Sequence, residues 1–125
     1  MYGKIIITVE IAGEFGETLP SQIALREVND PDNQRLLELH LDKGEASAIA
    51  LAMGISDSKL ILDDAKAREI ARQLGLTYTG TLGVVVSAKL RGIIPSIKPI
   101  LNKMSQAGFW LSEEMEAQAL ALARE

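Results

Sequence analysis

Four carboxylates stand where an α/β chain could put them to chemical use. Asp63 and Asp64 close the apolar run of "KLILDD", Glu45 lies in "LDKGEASAIALAM", and Glu14 sits near the end of "VEIAGEF". Carboxylates gathered in one place repel one another unless a cation neutralises them, and hard oxygen donors suit Mg²⁺ or Mn²⁺. Metal-bound water attacking a phosphodiester is the natural chemistry of such a cluster. Each acid also has a plain structural role. Asp42 and Glu45 fit the N-cap and N3 positions of a capping box, the reading that spacing favours for Glu45. Asp63 or Asp64 could cap the helix that follows, stabilising it by ~1 kcal/mol. Acids also collect at helix N-termini through the dipole. Glu14, on a short amphipathic helix, is by default a solvated residue.

The elements that would position these acids follow from periodicity. "GKIIITV" reads as a short buried strand rich in β-branched residues, and "VEIAGEFG" as a short helix ended by Gly16. Turn chemistry at Pro20 precedes a second extended run from Ile23 to Val28. A helix is expected after Asn29–Pro31, with Leu36, Leu37, Leu39 and Leu41 apolar. "DKGEASAIALAMG" forms another, its alanines allowing close packing. "KLILDD" is the next strand and "DDAKAREIARQLG" the next helix, stopped by Gly75. "LTYTGT" gives a further strand, leading into "GTLGVVVSAKLRG", and two closing helices follow. Strands alternating with helices predict the α/β class with a mostly parallel sheet, in one domain over residues 1–125. In such sheets chemistry lies beyond the C-terminal strand ends. That rule brings Asp63, Asp64 and Thr81 to one edge, with Glu14 and Glu45 on helices that can face it.

The bulk numbers narrow the function classes. The 125 residues are 47% hydrophobic and 24% charged, with no cysteine and a net charge of −4. A disulfide framework and a thiolate metal site are excluded, and the charge argues against a non-specific nucleic-acid coat. No apolar run approaches the ~20 residues of a membrane span and no secretory signal is visible, which predicts a cytoplasmic protein. Charge is unevenly spread: from 82 to 112 there is no acid, while Lys89, Arg91, Lys98 and Lys103 all fall there. Such a run is usually a solvated face, yet it is the acid-free surface on which an anion would settle. His40 is the sole histidine, so a histidine-based triad or metal site is disfavoured. "GTLG" at 80–83 could offer N–H groups to a phosphate, although helix packing explains Gly83 equally and Thr81 is more often an N-cap. Trp110 in "GFWLS" reads as an anchor for the last helix.

Taken in order and spacing, "LDKGEASAIALAM", "LILDDAKAREIARQLGL", "GTLGVVVSAKLRGIIPSIKPIL" and "GFWLSEEM" resemble the DUF3368 branch of the PIN-domain proteins. These are similar to the VapC toxins of toxin–antitoxin pairs. "IIITVEIAGEF" resembles the family's strand-then-helix segment that ends in a glutamate. The resemblance covers essentially the whole chain. It implies a three-layer α/β fold and Mg²⁺- or Mn²⁺-dependent cleavage of RNA. Glu14 would match the first helix glutamate, Glu45 the acid of the "GEA" helix, Asp63 and Asp64 the strand-end acids, and Thr81 the hydroxyl of "GTLG". Lys89 and Arg91, in the basic segment, would face RNA or the acidic part of an antitoxin.

One departure qualifies the matches. The family opens with a strand of the type "VSDTSPLI", whose aspartate is a central ligand, and then a helix; this chain begins at "MYGKIII". The expectation is a site short of one carboxylate, impaired catalysis, a gap in the sheet, and pairing between chains as a homodimer or larger assembly. A non-catalytic module binding protein or nucleic acid is the alternative. A phosphoryl-accepting aspartate domain is disfavoured, because no lysine stands at the end of a later strand.

Overall fold

The computed structural model describes residues 4–125. Gly3, first residue of the expected opening strand, lies outside them. The order is β1 (Ile5–Thr8), α1 (Val9–Phe15), β2 (Ile23–Arg26), α2 (Pro31–Leu37), α3 (Lys43–Met53), β3 (Leu60–Ile61), α4 (Ala65–Gln73), β4 (Tyr78–Thr79), α5 (Thr81–Leu90), α6 (Lys98–Gln106) and α7 (Glu113–Leu122). The α/β class is confirmed, and both strand pairings are parallel. The chain falls into two compact units that divide between Thr79 and Gly80.

The unit of residues 4–79 is organised by α3. Its sequence is dominated by small residues, and Gly44, Ala46, Ser47, Ile49, Ala50, Leu51 and Ala52 are all buried. Burial on nearly every side marks a central helix, and small side chains let neighbours approach its backbone. Around it pack Leu41, Leu60, Leu62, Ala67 and Ala71, which form one core with Ala46, Ile49 and Ala52. Helix α4 contributes Ala67 and Ala71, an i, i+4 pair on one face. It stops at Gly75, whose φ of 74° is a left-handed conformation that a side chain resists. There Gly75 N–H donates to Arg72 O (3.0 Å) and Leu76 N–H to Ala71 O (2.9 Å). Helix α2 ends earlier than its leucines suggest: Leu36 and Leu39 are 64% and 74% exposed.

The strands form two ladders. β1 pairs with β2 from Ile5↔Ile23 to Thr8↔Arg26, and β3 pairs with β4 through Leu60↔Tyr78 and Ile61↔Thr79. Among the described residues no pairing joins the two ladders. Their ends nevertheless meet at α3. Thr8, ending β1, bonds to Ser47 in the first turns of α3, and Asp64, just past β3, acts electrostatically on Glu45 there. Both strands therefore finish near the N-terminus of α3.

The unit Gly80–Glu125 has its own small core of Val86, Ile97, Leu101, Ala119 and Ala123. Ser112 caps α7 by accepting from Met115 N–H at 3.0 Å, with Glu113, Glu114 and Glu116 in the first turn, where the dipole favours acids. Trp110, expected to anchor this helix, is instead 76% exposed. Among the described residues no helix is long and apolar enough to cross a membrane.

Candidate metal centre

The site grows from the N-terminus of α3, where β1 and β3 end. Asp42 is the N-cap: its Oδ1 accepts from Glu45 N–H at 2.8 Å. The capping half of the expected box is thus present. The Glu45 side chain completes a different contact, a hydrogen bond with the Asp42 carboxyl itself. Two carboxylates can share such a bond only if one keeps a proton, and Glu45 is the one that does. Partial burial, that bond, and the negative charges of Asp42, Asp64 and Glu14 push Glu45 up to about 7. Asp42 is held below the usual carboxylate range, first by the Glu45 N–H bond.

Glu14 reaches the same place from α1. A methyl carbon added at Gly44 would fall 2.7 Å from Glu14 Oε1 and 2.8 Å from Oε2, so the carboxylate rests directly over Gly44. Gly44→Ala should therefore swing Glu14 aside with folding stability held within about 1 kcal/mol, since alanine favours the helix and the glutamate end is free to rotate. Urea denaturation checks the stability, and Glu45 should titrate lower once one neighbouring charge withdraws.

The aspartate pair divides its labour. Asp64 caps α4, with Oδ2 accepting from Ala67 N–H at 2.9 Å, and also faces Glu45 electrostatically. Asp63 pairs with Arg68 Nη2 at 3.6 Å, while Arg68 Nε donates to Leu62 O at 2.7 Å. Arginine one turn along the next helix thus takes up one aspartate, and the other stays with the acidic group. The structure brings together Glu14, Glu45 and Asp64, with Asp42 added, and engages Asp63 elsewhere.

Beneath the acids lies a buried hydroxyl relay that sequence reasoning missed. Ser47 Oγ donates to Gly44 O at 2.7 Å, and Thr8 Oγ1 lies 2.6 Å from Ser47 Oγ. Because the single Ser47 proton is spent on Gly44, Thr8 must donate to Ser47. Thr8 in turn accepts from Ile11 N–H at 3.2 Å, capping α1. Both residues are fully buried. The relay ties α1, β1 and α3 together below the carboxylates. A threonine closing a β-branched run before a helix was the available signal for the cap. No local signal pointed to its link with Ser47.

Thr81, Lys89 and Arg91 belong to the other unit. Gly80, not Thr81, occupies the N-cap of α5, and Thr81 is the first residue of the helix. Lys89 Nζ donates to Ala123 O at 2.9 Å, near the end of α7, and Arg91 is exposed at the C-cap of α5. The acid-free run is not acid-free in space. Glu125 accepts from Ile97 N–H at 2.8 Å and from Ser96, and that Ser96 bond, ahead of the charges of Lys89 and Lys98, holds its carboxyl low.

The profile of the DUF3368 family, a PIN domain, matches residues 1–125. The chain belongs to the DUF3368 family of PIN-domain proteins. No curated protein and no solved structure matches it. PIN domains generally use divalent metals. In this DUF3368 protein the donor chemistry fits: the acids are hard oxygen donors whose mutual repulsion a cation would relieve. Glu10, on the same helix as Glu14, also buries Oε2 without a hydrogen-bond partner among the described residues. The carboxylates converge without closing up: among the described residues no group of three or more acids or histidines stands arranged to hold an ion.

Proposed function

We propose that Glu14, Glu45 and Asp64 hold Mg²⁺ or Mn²⁺ and that the protein is a metal-dependent ribonuclease, the toxin half of a cytoplasmic toxin–antitoxin pair. One observation carries this reading: carboxylates from α1, α3 and the end of β3 converge at one helix N-terminus beyond parallel strand ends, in a chain of the PIN family. When bound, the ion would activate water and offset charge developing on the phosphate. The chain's own residues prepare that place. Glu45 gives up its proton to become a ligand, Asp42 stays ionised beside it, and the Thr8–Ser47 relay fixes the backbone that carries them. Asp63 steadies Arg68 and hence the strand end. Thr81, Lys89 and Arg91 are the candidates for contacting the RNA backbone. Pairing between copies belongs to the same reading, supported by the exposed Leu36 and Leu39; a monomeric mass in light scattering at every concentration would remove it.

The test is cleavage of a single-stranded RNA in Mn²⁺ and in chelator. Activity should require the metal and fall by about 100-fold or more in Glu45→Gln and in Asp64→Asn. Cleavage that survives chelation, or is indifferent to both substitutions, overturns the nuclease assignment. The second reading, a non-catalytic module, is favoured by the unclosed carboxylate group and by the proton held on Glu45. It predicts RNA or protein binding with no cleavage at any metal concentration.

A further inference from the structure

Two acids at the start of α3 have a chain neighbour that the metal centre does not use. Glu14 is followed by Phe15, and Asp42 by Lys43. Phe15 ends α1 and is 54% exposed, although burial of such a ring is among the larger hydrophobic gains open to a fold. Its backbone is fixed. Gly16 takes a left-handed φ of 72° and donates its N–H to Ala12 O at 3.2 Å, so the ring is carried on a closed helix end. Consecutive helical residues stand about 100° apart around the axis. With the Glu14 carboxylate over Gly44, the ring therefore lies on the flank of α1 beside it. Lys43 is the exposed first residue of α3 and directly precedes that same Gly44. An ammonium at a helix N-terminus is set against the dipole, so helix stability does not account for it there.

An open aromatic face and a cation at the rim of a phosphate-directed site are the two chemistries that hold single-stranded nucleic acid. Unpaired bases stack on the ring, and the cation takes the backbone. Other occupants fit less well. A duplex offers no free base faces, an acidic peptide would be repelled by Glu14, Asp42 and Asp64, and a basic one would meet Lys43. We propose that Phe15 and Lys43 form a nucleotide subsite at the rim of the metal centre, Phe15 stacking an unpaired RNA base and Lys43 taking a phosphate beside it. The subsite rests on the RNA substrate of the proposed function, and it adds a grip on single strands within the unit of residues 4–79. Because every base has a π face, its selectivity is for single strands over duplex and not for sequence.

The probe is a short fluorescein-labelled oligouridine, followed by fluorescence anisotropy as the full chain is added in Ca²⁺, with the probe's integrity checked on a gel. Phe15→Leu keeps apolar bulk but loses the π face and should weaken binding about tenfold, whereas Phe15→Trp should hold it. Lys43→Gln should weaken it several-fold and lower its salt dependence by about one counterion. Lys4→Gln, which removes the same charge at the other end of β1, should change little. On the same oligomer stripped of its bases, the wild-type protein and Phe15→Leu should bind alike, while the Lys43→Gln loss remains. Thermal melting shows that each variant is folded. Four results would each overturn the proposal: no binding by the wild-type protein, equal binding by Phe15→Leu, a Phe15→Leu loss that persists on the stripped oligomer, or a Lys43→Gln loss no larger than that of Lys4→Gln. Binding through Phe15 with no cleavage in Mn²⁺ would remove the nuclease reading and keep this one; metal-dependent cleavage with affinity indifferent to Phe15 would do the reverse.

Discussion

Ser47→Ala is expected to lose about 2 kcal/mol of folding stability, although alanine is the better helix former. The loss comes from Thr8, whose buried hydroxyl proton would have no acceptor once Ser47 Oγ is gone. Leaving a buried donor unsatisfied costs about 1–3 kcal/mol, more than the net value of the bond when formed. Thr8→Val should cost a similar ~2 kcal/mol by a different route, removing the acceptor that caps α1 at Ile11 N–H as well as the bond to Ser47. The double substitution removes both partners together, so it should cost roughly 2–3 kcal/mol rather than the sum of the singles. Urea unfolding of the four proteins tests this. Strict additivity would mean that the hydroxyls do not act as one unit.

The second large effect is on pH. Glu45 is pushed up to about 7 from an ordinary value of 4.5 in the unfolded chain, so the folded state binds its proton more tightly. Stability therefore falls as pH rises from about 4.5 to 7 and levels off above, because the unfolded chain gives up the proton first. Asp42 shifts the other way. Its contribution is present above its ordinary 3.8 and is lost as pH falls through its lowered folded value. Together they place the metal-free optimum on the acidic side of neutrality. Between pH 5 and pH 8 the wild-type protein should lose roughly 1 kcal/mol, allowing for solvent screening of a partly exposed group. Glu45→Gln, which stays neutral throughout, should flatten that slope. A melting temperature that rises over the same range would contradict the shared proton.

Much of the fold was legible because local chemistry agreed with tertiary need. Gly16 and Gly75 mark helix ends through left-handed φ, Asp42 caps the helix its spacing suggests, and the alanines of α3 fit the middle of a core. What could not be read depended on residues distant in sequence. "LILDD" does not show that Arg68 takes up Asp63 and leaves Asp64 to face Glu45. The raised proton affinity of Glu45 draws on its burial, on Asp42 and Asp64, and least on Glu14, which arrives from a helix three elements earlier. The basic segment looked free of acids because Glu125, which answers it, is 28 residues from its partner Ile97. The parallel pairings followed from alternation of strands and helices, whereas their separation into two ladders is a matter of nonlocal spacing.

The central claim is that Glu14, Glu45 and Asp64 form one cation site at the start of α3. Calorimetric titration of Mn²⁺ at pH 8 into the wild-type protein, Glu45→Gln, Asp64→Asn and Gly44→Ala tests it most directly. The account predicts one saturable site, affinity lower by about 10–100-fold in each variant, and folding retained in Gly44→Ala. No binding to the wild-type protein, or binding that all three substitutions leave unchanged, would contradict it.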